Sequence, residues 1–115
     1  MNLLDLESEK FKTVDVKGET FKIRFMSPMD KVMIAKRRMN LQGGNPVEAM
    51  MMSDLALFEN ISMIDVCVEE FPKGVDKSKS AINWDDEEMI MLLAEEIRIH
   101  TSEVQGKLKK NKPIG

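Results

Sequence analysis

The amino-acid sequence predicts an α+β protein in which an N-terminal β-hairpin packs against a bundle of three to four α-helices. Two observations point there. A pair of short runs alternates apolar and polar residues around Lys17-Gly18, and beyond residue 27 the apolar residues recur at helical spacing instead. A chain of 115 residues holds one core and falls short of two, so a single domain is expected over residues 1–105, followed by a mobile basic tail at 106–115. Hydrophobic residues at 43% and charged residues at 32% are the balance of a folded chain.

The hairpin comes first. Phe11–Val16 and Glu19–Phe25 read as strands joined by a two-residue turn, with Gly18 supplying a positive φ. That register sets Val14 opposite Phe21. It gathers Val14, Val16, Phe21, Ile23 and Phe25 on one face and leaves Thr13, Asp15, Lys22 and Arg24 on the other. The first face needs a core to cover it.

Ser27-Pro28-Met29-Asp30 is a helix start: a capping Ser, Pro at the first helical position and an acid near the positive dipole end. This helix is expected to reach about Leu41 and to stop at Gln42-Gly43-Gly44-Asn45-Pro46. Helical spacing resumes from Val47 to Phe71, with Ser53-Asp54 as a candidate break. Its main stripe is Leu57, Phe58, Ile61, Ile64, Val68 and Phe71, and Leu55, Met63 and Val66 lie opposite, so it should be the central helix. Pro72-Lys73-Gly74 ends it. Asn83-Trp84-Asp85-Asp86-Glu87-Glu88 opens the last helix, whose stripe is Met89, Ile90, Leu93, Ile97, His100 and Val104, with Gly106 as the stop.

Net charge is −3, so nucleic acid could be held only by a local basic patch. Cys67 is the sole cysteine, which excludes an internal disulfide and any Cys-rich zinc site. The opening MNLLDLESEK lacks the basic start and long apolar run of a signal peptide, and no window approaches the roughly 20 apolar residues that span a bilayer. The expectation is a protein that stays inside the cell and away from membranes.

No catalytic, metal or cofactor site is expected. His100 is the only histidine, and with Glu96 it offers two ligands where a metal needs three or four; a histidine at the margin of the core is the simpler account. Cys67 lies on an apolar helix as a small hydrophobe. Asp85 to Glu88 lack the alternation and glycine of a calcium loop, and helix capping explains them. Gly43-Gly44 follows a helix and precedes no Lys-Ser or Lys-Thr, so it is a turn and not a phosphate cradle.

Two features suit partner binding. Lys31, Arg37 and Arg38 share one side of the first helix with Ile34 and Leu41, a mixed basic and apolar surface fitted to an acidic helix or, with less support, to nucleic acid. A solvated face is the plain alternative. The chain also carries 11 methionines, whose flexible side chains suit surfaces that accept varied apolar segments, or else fill a core poor in aromatics. Met50, Met51 and Met52 point in three directions on a helix, so at least one must be exposed or covered by a partner. The nominated partner-binding residues are therefore Lys31, Ile34, Arg37, Arg38, Leu41, Met50, Met51 and Met52.

The order of parts resembles the tail assembly chaperones of long-tailed bacteriophages. The resemblance rests on MNLLDLES, the hairpin KFKTVDVKGETFKIRF, SPMDKVMIAKRRMNLQGGN, and IDVCVEEFPKG leading to INWDDEEMIMLLAEEI. It lies in order, length and texture, and transfers no active residue. It implies a protein of the infected host's cytoplasm, not of the mature virion, that binds the tape measure protein until tail tube protein polymerises around it, with several copies, as a homo-oligomer, coating the client. The competing readings are a small nucleic-acid-binding or regulatory module using Lys31, Arg37, Arg38, Lys107, Lys109, Lys110 and Lys112, and a minor structural subunit of the virion.

Overall fold

A computed structural model describes residues 9–43, 51–75 and 80–110. In chain order these form β1 (Phe11–Val16), β2 (Glu19–Arg24), α1 (Pro28–Gln42), α2 (Met52–Cys67), β3 (Val68–Glu70), a 3-10 turn at Ala81–Asn83, and α3 (Glu87–Lys110). The architecture is α+β, with an antiparallel sheet in the order β1-β2-β3 covered on one face by helices.

The hairpin has the register read from the sequence, Val14 opposite Phe21. Lys17 (φ 52°) and Gly18 (φ 81°) are both left-handed, the arrangement whose twist matches that of the flanking strands. Val14, Val16, Phe21, Ile23 and Phe25 are all buried. The chain then enters α1 through a reciprocal cap: the Ser27 hydroxyl accepts from the Asp30 N–H at 3.1 Å, and the Asp30 carboxylate accepts from the Ser27 N–H at 3.1 Å. Gly43, at φ 63°, ends α1 with its N–H on the Asn40 carbonyl.

The second helix departs from expectation at both ends. It begins at Met52, with Met51 as a cap that makes no side-chain bond, and stops at Cys67, not Phe71. Val68 turns to extended backbone, and Val68–Glu70 joins the sheet as β3, with Val68 opposite Ile23 and Glu70 opposite Lys22. Val68 is buried in the strand, and its spacing from Ile61 and Ile64 fits the stripe of a continued helix equally well, so the pattern could not choose between them. Pairing decides it, because β3 satisfies the edge of β2 that β1 leaves open. The stretch 47–50 lies outside the described residues.

The last helix is capped by Asp86, whose Oδ1 accepts from the Met89 N–H at 3.0 Å, and it continues through Gly106 to Lys110. Residues 106–110 are thus helical and not tail; 111–115 lie outside the described residues. One interior glycine costs a helix about 1 kcal/mol, and with no proline beside it that is too little to stop one. Lys107, one residue past the glycine, reaches Glu9 at 3.0 Å.

α2 is central, as its all-round apolar character implied. Ile61, Ser62, Met63 and Ile64 are consecutive and all buried, which requires cover on every side; α1 packs along one flank and α3 along the other. The one polar member, Ser62, donates to the Phe58 carbonyl at 2.7 Å. From α3, Ile90, Leu93, Ala94 and Ile97 close the core, and the Thr101 hydroxyl ties the hairpin's exit to this helix by accepting from the Met26 N–H at 2.9 Å. Because Ile64 has no exposed surface, Ile64→Ala should lower stability by about 2–4 kcal/mol, read as a fall in the urea midpoint with an unchanged slope.

Candidate functional site

α1 carries two apolar stripes on opposite sides, and packing uses one of them. Ile34 is buried and Leu41 packs against the core on the side facing α2. Met29, Val32, Met33 and Met39, at i, i+3, i+4 and i+10, are exposed on the other side together with Lys36 and Asn40. The outward stripe spans about ten residues, or about 15 Å of helix.

The face nominated from the sequence is the inward one. Ile34, 3% exposed, is a core residue and cannot touch a partner. The Arg37 Nε donates to Asp65 Oδ2 at 3.0 Å, and the Arg38 guanidinium reaches Glu59 Oε2 at 3.4 Å. The acidic helix that this basic and apolar surface fits is α2 of the same chain. Lys31 is exposed and outside these pairs. Of the methionine triplet, Met51 (71% exposed) and Met52 (81%) are open to solvent at the start of α2, and Met50 lies outside the described residues.

Asp65 is a junction that sequence reasoning did not single out. Besides Arg37 it accepts from the Ser80 hydroxyl at 2.5 Å and the Ala81 N–H at 2.9 Å, which pins the 3-10 turn to α2. A lone Asp in an apolar stripe, with a Ser cap 15 residues on, was the available sign.

A second junction fixes the other end of α1. The Arg24 guanidinium donates to Asp30 at 2.7 Å and also to Glu69, so β2, α1 and β3 meet at one charge. Burial pushes the Asp30 carboxyl up, but the bonds from Arg24 and Ser27 outweigh it and hold the group below the usual carboxylate range. Cys67 lies close by with no exposed surface, and burial pushes its thiol up to about 12, so it stays protonated and unreactive. His100 is buried against Lys10 O (3.2 Å) and the Phe25 ring.

Among the described residues no group of three His, Cys, Asp or Glu side chains could hold a metal ion, and no helix is long and apolar enough to cross a membrane. What the arrangement offers is surface: a preset helix face bearing adaptable apolar side chains. Comparisons with protein-family models, with characterised proteins and with solved structures gave no match to this chain.

The Arg24–Asp30 contact has a pH signature. A carboxyl depressed in the folded state adds stability above its unfolded pKa of about 4, and that stability is lost as pH falls through the lower folded value. Asp30→Asn should therefore cost about 1–3 kcal/mol at pH 7 and flatten the loss of stability below pH ~4, followed by urea unfolding from pH 7 to 3.

Proposed function

We propose that this protein is a tail assembly chaperone of a long-tailed bacteriophage, acting in the cytoplasm of the infected host. It holds the apolar helices of the tape measure protein in solution until tail tube protein polymerises around them, and it is left out of the finished particle. The observation that carries the reading is the outward face of α1. Met29, Val32, Met33 and Met39 lie exposed along a helix whose opposite side is locked to α2, with Lys36 among them and no acid between.

Contiguous exposed apolar surface on a small domain marks a place where another apolar surface docks. A helical client presents apolar residues at i, i+3, i+4 and i+7, and this stripe meets them with apolar residues at i, i+3, i+4 and i+10 and with Lys36 at i+7. Methionine suits the work because its unbranched chain repacks against clients that differ along their length. Lys36 among the methionines favours helices with acidic flanks. The nucleic-acid reading is weaker on this arrangement, since Arg37 and Arg38 are spent on Asp65 and Glu59.

The test is co-expression with the tape measure protein of the same genome, scored as client in the soluble fraction and retained on the tagged chain. Met33→Asp together with Met39→Asp should keep the far-UV circular dichroism and lower capture at least about tenfold, since burying one methionine contributes about 1.5–3 kcal/mol. Ile34→Asp should instead unfold the domain. Undiminished capture by the double variant would refute the assignment of this face, and recovery of the chain in purified virions would favour a structural subunit.

A further inference from the structure

At the far end of the sheet from α1's cap, the exit of β3 and the start of α3 enclose a cavity of about 400 Å³. Phe21, Pro72, Val75, Trp84 and Met89 supply its apolar lining. The aromatic wall is braced by ring contacts: Trp84 meets Phe71 edge-on at 6.0 Å and Phe21 at 6.3 Å with a 40° tilt. Its charged lining is three carboxylates, Glu19, Asp85 and Asp86, against one ammonium, Lys73. Asp86 is occupied by Lys17 at 2.7 Å, whereas Glu19 and Asp85 are exposed and have no ion-pair partner among the described residues. The cavity therefore suits a short segment with a cation beside one or two apolar groups, proline included, because proline's fixed extended backbone stacks on aromatic rings at little entropic cost.

This chain contains such a segment. Lys112-Pro113-Ile114 follows Lys109 and Lys110 at the end of α3, opposite the end that borders the cavity. We infer that Lys112-Pro113-Ile114 of a second copy seats in this cavity, Pro113 and Ile114 against Trp84 and Phe21, and Lys112 between Glu19 and Asp85. The segment cannot fill the cavity of its own chain. α3 has 24 residues and is about 36 Å long, while Ile114 lies four residues past Lys110, a reach of about 14 Å. The contact is head to tail, so each copy offers a tail to one neighbour and a cavity to another, and copies link into a ring where the rotation closes and into a row where it does not. It is independent of the methionine face of α1 and of the client assigned to that face.

Trp84 is the only tryptophan and reports on the cavity directly. Titrating a synthetic peptide of residues 107–115 into the full chain should change Trp84 emission saturably. Binding should weaken about tenfold or more in the Glu19→Lys, Asp85→Lys double variant, and also in 0.5 M salt. A peptide with Pro113→Asp and Ile114→Asp should not bind. In the intact chain, the weight-average mass from sedimentation equilibrium should rise with concentration and remain monomeric for Asp85→Lys or Lys112→Glu alone. Mixing those two variants should restore association, because the swapped charges complement each other. The inference is overturned if emission does not respond, or if the doubly substituted peptide binds as well as the parent, which would reduce the effect to general charge attraction. It is also overturned if association persists in Asp85→Lys and disappears in Met33→Asp, which would place the contact between copies on α1 and leave client capture to be judged by its own test.

Discussion

The roll of α1 about its own axis decides which of its two apolar stripes meets solvent, and buried and half-buried ion pairs at its two ends set that roll. At the N-terminal end Arg24 draws Asp30 toward β2 and holds Glu69 of β3 with its other arm. At the C-terminal end Arg37 and Arg38 reach Asp65 and Glu59 on α2. A helix apolar on both sides has no strong preference of its own for burying one stripe over the other. Charge pairing supplies the preference, since turning the methionine stripe inward would strand Asp30 and both arginines away from their partners.

The same junction explains why the chain leaves its helix at Cys67. Glu69 reaches Arg24 only if residues 68–70 are extended beside β2, and the open edge of β2 gains backbone hydrogen bonds from that conformation. Strand and ion pair therefore form together. The segment is too short to be a stable strand alone, and its one apolar residue, Val68, fits the stripe of the preceding helix as well as it fits a strand.

The division of labour across the molecule follows from composition. Five phenylalanines, one tryptophan and no tyrosine leave few large rigid side chains. Three of those rings, Phe21, Phe71 and Trp84, pack against one another at the end where β3 leaves the sheet, and Phe21 and Trp84 line the cavity there. Methionine takes the outward face of α1, where shape is not fixed. A braced aromatic cavity suits one defined segment, and a methionine face suits many different ones.

Sequence alone determined much of what depends on near neighbours. The hairpin and its register follow from alternation around Lys17-Gly18, the start and stop of α1 from Ser27-Pro28 and Gly43, and the central place of α2 from its all-round apolar pattern. These are one-dimensional signals, carried by residues a few positions apart. Only the tertiary structure decided the third strand, the length of α3 and the inward direction of Ile34, Arg37 and Arg38. Each of those depends on a partner far along the chain: Ile23 for Val68, Glu9 for Lys107, and Asp65 and Glu59 for the arginines. The sequence contained both stripes of α1 and the acids that choose between them, but a helical pattern shows which residues share a face and not what that face meets.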